Sequence, residues 1–280
     1  MMETQLQRIA IQGELGSNSH MATVAMLGNV EVVPCEVSRD VFRSLADGSV
    51  DAAVLPIENS LHGSVSEHYD LLLEQPVRLD RELSLRIVHN LIAAPGVPLE
   101  QIRNVLSHPV ALSQCRRFLG EWKQARAASF YDTAGSVKHV MEQNLQDTAA
   151  IAPVLAASVY GATILVAGIE DNEKNFTRFH LVRRSDAPLS RTGIPNKLTV
   201  AFVVEHRPGS LVRALEAMAD AGVDLTKIES RPVPGKPWEY VFYVDFRFRR
   251  EEQADTALQA LRAVSGMVKE IGRYVAAEED

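Results

Sequence analysis

Asn175-Phe176-Thr177-Arg178-Phe179 sets a hydroxyl beside a guanidinium between two aromatic rings, just after the acidic run Ile169-Glu170-Asp171-Asn172. An arginine offers a planar fork of donors that pairs bidentately with a carboxylate. A threonine offers a small donor and acceptor that can protonate a leaving group or hold a water. The combination suits an apolar pocket that binds a carboxylate and handles a proton at one place. Successive strand residues point to opposite faces, so both side chains serve one site only at a strand end or in a loop.

Three more polar motifs follow short buried strands and are read here as helix starts. Pro56-Ile57-Glu58-Asn59-Ser60 ends the run AAVLPI, with Gly63 letting the backbone pass close to a ligand; Ser107-His108-Pro109 follows Asn104 to Leu106; Asp132-Thr133-Ala134-Gly135-Ser136 follows Ala127 to Tyr131. Free N–H groups at a helix start favour an anion, and open α/β sheets bind ligands at strand carboxyl ends. Each motif taken singly reads more readily as a cap, since Ser, Asn, Asp and Thr are preferred there. Three together, beside Thr177-Arg178, favour a small dianionic substrate.

The elements that must position these groups alternate from the start. Strands are read at Arg8 to Ile11, Val30 to Val37, Ala52 to Ile57, Leu83 to Ala94, Val105-Leu106, Ala127 to Tyr131 and Ala149 to Ala152. Helices are read from Ser19, Val41, Pro109, Ala134 and Pro153. This β-turn-α rhythm predicts an α/β fold with mainly parallel sheets. A polar stretch over 186–196, rich in Pro and Ser, reads as a linker. Beyond it the order is βαββαβ, a ferredoxin-like unit, with a hairpin turning on Pro234-Gly235-Lys236-Pro237.

At 280 residues, 46% apolar and 23% charged, the chain has globular composition and room for two domains. Its net charge of −7, from 29 basic and 36 acidic side chains, and its lack of a basic block argue against nucleic acid. Cys35 and Cys115 are far apart, with no metal-ligand spacing, which predicts a reduced cytoplasmic protein. The polar start, Met1 to Gln7, lacks signal-peptide character, and no apolar run is long enough for a bilayer. His20, His62, His89 and His139 show no metal-like spacing and read as surface or capping residues.

Six motifs in fixed order carry a resemblance. PIENS-xx-G-x-V (Pro56 to Val65), SHP-x-A-L-x-Q-C (Ser107 to Cys115), DTAGS (Asp132 to Ser136) and IED-xxx-N-x-TRF (Ile169 to Phe179) resemble prephenate dehydratase. His206 to Leu211 and Glu229-Ser230-Arg231-Pro232 resemble the two phenylalanine-binding motifs of its regulatory ACT domain. The resemblance covers essentially the whole chain. It implies a two-lobed catalytic domain folded like a periplasmic binding protein over 1–185, a linker over 186–196 and an ACT domain over 197–280. It implies conversion of prephenate to phenylpyruvate with loss of water and CO2, no cofactor and no metal. Thr177 is then the acid or the group that orients it, Arg178 holds a carboxylate, and Glu58 orients Asn59 or Arg178 or carries a proton. Asn59, Ser60, Ser107, Thr133, Ala134, Asn175 and Phe179 would contact substrate. L-phenylalanine would bind Pro208, Gly209, Ser210 and Leu211 with Glu229, Ser230, Arg231 and Pro232, in a homodimer or homotetramer.

The chain departs from that pattern at Asn18, where the family usually has an aromatic residue, and at Ser210, where alanine is more usual. Gln12-Gly13 resembles plant enzymes that use arogenate, so arogenate stays open as substrate. No stretch reads as a chorismate mutase bundle, so a monofunctional enzyme is expected. Two rivals are a solute-binding protein and an amino-acid sensor without catalysis. Neither explains Thr177-Arg178-Phe179 after the IED motif.

Overall fold

Ile9 to Ile11 and Ala52 to Leu55 are fully buried runs, the pattern of parallel strands covered on both faces. The computed structural model of the chain describes residues 6–188, 193–233, 236 and 238–277. The order begins β1 (Arg8–Gln12), α1 (Asn18–Leu27), β2 (Glu31–Cys35), α2 (Ser38–Ala46), β3 (Ala52–Asn59), β4 (Gly63–Ser64) and α3 (Ser66–Glu74). It continues with β5 (Val77–Arg86), β6 (Asn90–Ala93), β7 (Asn104–Ser107), α4 (Pro109–Ser113), α5 (Arg116–Glu121) and β8 (Arg126–Ser129). Next are α6 (Thr133–Glu142), β9 (Thr148–Ala152), α7 (Val154–Tyr160), β10 (Thr163–Val166) and β11 (Phe176–Arg184). The chain closes with β12 (Lys197–Val203), α8 (Ser210–Asp220), β13 (Asp224–Pro232), β14 (Tyr240–Arg247), α9 (Glu251–Val264) and β15 (Met267–Tyr274).

The chain divides into two compact units. The first holds Leu6–Ser64 and Ser84–Phe179. In it β1 lies between β2 and β3, parallel to both, and the start of β11 pairs with β3. A second sheet runs β10-β6-β9-β7-β8, with β7 parallel to β8 and β9 and with β6 antiparallel to β9 and β10. Its core packs Leu91, Ile102, Val105 and Ile151 on one face and Ile92, Val137, Ala150 and Ala156 on the other. The unit is thus α/β with two sheets, each carrying its own helices.

The second unit holds Val65–Leu83 and the chain from His180 onward. Its strands run β13-β14-β12-β15, antiparallel throughout. Leu198, Val200, Phe202, Val244 and Phe246 meet Ala214 and Met218 of α8 and Leu258 and Leu261 of α9. Residues of α3 lie against β14 and β15. The Tyr69 and Tyr243 rings are 4.9 Å apart, and Tyr243 Oη donates to the Tyr69 carbonyl at 3.0 Å. Lys269 Nζ donates to the carbonyls of Leu72, Leu73 and Gln75 at 3.0, 2.7 and 3.0 Å, satisfying the orphan acceptors at the end of α3. Gly272 is required where β15 meets β5, because a side chain there would collide with the Leu79 backbone. Buried Lys197 pairs with buried Glu82 at 3.0 Å.

Three readings change. The strand expected over 83–94 is two, because Ile87 N donates to the Asn175 carbonyl at 2.7 Å and His89 N to Glu170 Oε2 at 3.0 Å. Those bonds take the backbone out of any sheet ladder between Arg86 and Asn90. Helix α3 has no side-chain N-cap and alternates Glu67, His68 and Asp70 with its apolar residues, so it left no pattern in the sequence. The hairpin read at Pro234 to Pro237 lies outside the described residues except for Lys236. Among the described residues, no helix is long and apolar enough to cross a membrane.

Candidate active site

The apolar run of β3 delivers Glu58 and Asn59 to its carboxyl end. Asn59 Oδ1 accepts the backbone N–H groups of Leu61 and His62, both at 3.0 Å. This Asx turn fixes the amide, since its oxygen must face the donors. Asn59 Nδ2 therefore faces β11, reaching Asn175 Oδ1 at 2.7 Å, the Phe176 carbonyl at 3.1 Å and Thr177 Oγ1 at 2.9 Å. Ser60 stitches the same place: its N donates to the Phe176 carbonyl at 2.8 Å, and its Oγ accepts Phe176 N at 3.0 Å.

Thr177 is buried, and its oxygen receives the Asn59 amide. Among the described residues its hydroxyl hydrogen has no acceptor. It is free for a bound molecule. One residue along each strand, Glu58 Oε1 meets Arg178 Nε at 2.8 Å. The pairs step in opposite directions along β3 and β11, as antiparallel neighbours do. Side-chain alternation then puts Asn59–Thr177 on one face of the ladder and Glu58–Arg178 on the other. Phe179 is 1% exposed and packs in the core, whereas Phe176 is half-buried.

Of the three expected helix starts, two are found and one is not. Pro56 to Ser60 leads into the β3–β4 hairpin, not a helix, because Asn59 turns the chain and Gly63 takes φ +78°. His108 caps α4, its Nδ1 accepting Val110 N at 3.3 Å. Ser107 is fully buried and donates to the Ile151 carbonyl at 2.6 Å, tying β7 to β9. Asp132 caps α6, accepting Gly135 N at 2.7 Å. Burial pushes its carboxyl above the usual range, against the pull of that N–H. Thr133 opens α6 and Ala134 is fully buried in the core. Gly13 approaches this start so closely that a Cβ would lie 2.7 Å from Asp132 Oδ2. Beside it, Tyr131 Oη donates to Glu14 Oε1 at 2.8 Å, and Lys138 Nζ meets Glu14 Oε2 at 3.1 Å.

In the C-terminal module Gly209 takes φ +81° and caps α8. Pro208, Ser210 and Leu211 line a cavity of about 360 Å³ with Trp238, Tyr240 and Phe242. Glu229 to Pro232 sit on β13, at the edge of the sheet, and do not line that cavity. Glu229 lies 3.8 Å from Lys227, and Arg231 holds Asp70 through two bonds of 3.2 and 2.8 Å. Ser230 pairs with Phe242 and Pro232 with Tyr240.

The family model for prephenate dehydratase matches residues 9–187, and that for the ACT domain matches 199–266. The chain belongs to the prephenate dehydratase family. A relative from Arabidopsis thaliana, arogenate dehydratase/prephenate dehydratase 2, chloroplastic, is 39% identical over 95% of this chain and 72% of its own length. A prephenate dehydratase from Arthrobacter aurescens, solved with L-Phe, is 32% identical, with a TM-score of 0.87 over 96% of this chain and 90% of its own. GqqA, described as a novel type of quorum quenching acylase, is also 32% identical, with a TM-score of 0.88 over 96% and 98%.

This member of the prephenate dehydratase family also holds residues that the motifs alone did not single out. His89, read as surface or capping, is 2% exposed, and its Nε2 lies 2.7 Å from Gln114 Oε1. Burial pulls its pKa down. Gln114 was visible within the SHP motif and Glu170 within IED, but their meeting at His89 spans 81 residues of sequence. Burial also pushes the Cys115 thiol up to about 12, leaving it inert.

Proposed function

We propose that the chain converts prephenate to phenylpyruvate with loss of water and CO2. The single observation that carries this is the Thr177 hydroxyl, fixed as acceptor by Asn59 with its proton unspent. As the ring carboxylate leaves as CO2, its C–C electron pair enters the ring. The ring C–O bond then breaks, the departing hydroxide takes the Thr177 proton and leaves as water, and Thr177 regains a proton from solvent. An alcohol is a weak acid, so positioning and charge stabilisation must do the work. The Asn59 N–H aimed at Oγ1 supports charge on that oxygen while the proton departs. Arg178, paired with Glu58, braces the ladder behind Thr177 and supplies the positive field for a dianion. Ser60 and Asn175 hold Asn59 and Phe176 in place. Thr133 would shape the far wall, with Ser107 and Ala134 supporting it from the core.

Arogenate, the amino analogue, is the second reading, favoured by Gln12-Gly13 and by the plant relatives' names. L-phenylalanine would seat its carboxylate on the N–H groups of Gly209 to Leu211 at the start of α8. Because Glu229 to Pro232 stand on a sheet edge away from that cavity, a second copy of the chain would complete the site, in a homodimer or homotetramer. A cytoplasmic protein is proposed, with a catalytic segment over 1–185, a linker over 186–196 and a regulatory segment over 197–280. The test is product formation from prephenate and from arogenate, with EDTA present, with and without phenylalanine, beside Thr177→Ala. Turnover of prephenate that collapses in the variant is the expected result. Turnover of arogenate alone moves the substrate. Silence on both overturns the reading.

A further inference from the structure

His62 stands three residues beyond Asn59, and its ring reaches α4 of the other sheet. Its Nδ1 lies 3.0 Å from Gln114 Nε2 and its Nε2 3.2 Å from Ser113 Oγ. The partners decide who donates. Ser113 gives its one hydroxyl hydrogen to the Val110 carbonyl at 2.7 Å, so its oxygen accepts from His62 Nε2. Gln114 Oε1 can only accept, so the facing His89 Nε2 carries a hydrogen. Gln114 Nε2 then donates to His62 Nδ1. A reversed Gln114 amide would leave neutral His89 with a buried N–H at Nδ1, an atom with no partner among the described residues. Orphaned buried N–H groups are rare, bare acceptors less so.

The two ends of this chain of bonds differ. At the far end His89 is buried, its backbone N–H is held by Glu170, and Glu170 pairs with Arg86 at 3.1 Å. Gln114 is also held by its own carbonyl, which accepts Asp171 N at 2.7 Å. At the near end His62 is exposed, in the loop whose N–H groups orient Asn59. The anchored end therefore fixes the exposed one. We propose that His62, as a neutral acceptor toward Gln114, is a positioning residue that pins the Asn59 loop to α4 and so sets Asn59 against Thr177. The link to turnover rests on the dehydratase reading above; the pinning of the loop does not.

The test compares His62→Ala and His62→Gln in the full chain. A glutamine can still accept from Gln114 and donate to Ser113. Amide hydrogen exchange at positions 61 and 62 should quicken at least tenfold in His62→Ala and stay near wild type in His62→Gln. With prephenate, kcat should fall roughly tenfold in His62→Ala with KM within about twofold, and return in His62→Gln. Unchanged exchange in His62→Ala overturns the inference, as does equal impairment of both variants. If wild type turns over neither prephenate nor arogenate, the dehydratase reading fails, and the exchange result still decides whether His62 pins the loop.

Discussion

From the end of β3, Asn59 reaches two acceptors on β11 and one on Asn175 just before it, and every donor and acceptor around it belongs to one chain. The two motifs read as phenylalanine-binding are arranged otherwise. Pro208 to Leu211 border a cavity, while Glu229 to Pro232 lie along a sheet edge whose outer side is unpaired among the described residues. The first region is closed by its own hydrogen bonds, as a group that must hold one geometry through a reaction requires. On the reading proposed above, the second would be half a site, completed by another copy of the chain. An effector acts only by favouring one state over another, so a site completed by assembly, as proposed above, would make assembly part of that choice.

The largest effect expected on the closed region is Thr177→Ala, a fall of about 10³-fold in kcat, while Thr177→Ser keeps most of it; phenylpyruvate absorbance reads both. Asn59→Asp should cost about 10²-fold, because a carboxylate cannot donate to Thr177 Oγ1; a loss in KM alone would show that Asn59 only binds. On the open region, Ile228→Glu alters a residue 48% exposed on β13. It should leave basal turnover within about twofold yet abolish the phenylalanine response and lower the assembly state in light scattering. Loss of basal turnover would break the contrast between the regions. Arg231→Ala removes a partly exposed pair with Asp70 and should cost about 0.5–1 kcal/mol in denaturant unfolding.

The smallest effect concerns pH. Burial holds the His89 pKa below its ordinary 6.5. The unfolded chain takes up that proton first as pH falls. The stability His89 contributes is therefore complete above about pH 6.5 and drains below it. His89→Gln should flatten that acid limb in thermal unfolding, and an unchanged limb would place the proton uptake elsewhere.

Much of this was legible in the residues. The βαββαβ module shows in its spacing, and α8 and α9 fill its two helical places. Gly209 and Gly161 stand where positive φ is needed. The helix α3 was not legible, because its apolar residues gain meaning only against Tyr243 and β15. His89 was misread for the same reason, since exposure is a property of the packed chain.

By itself the sequence determined the residue types at the site and their family order: a hydroxyl, a guanidinium, an amide and a carboxylate at strand ends. Only the tertiary structure decided their pairing. Asn59 meets Thr177 and Glu58 meets Arg178 because β3 and β11, more than a hundred residues apart, lie side by side in one register. Hydrogen bonds act over about 3 Å, and no spacing along a chain can fix a distance that short between segments so remote.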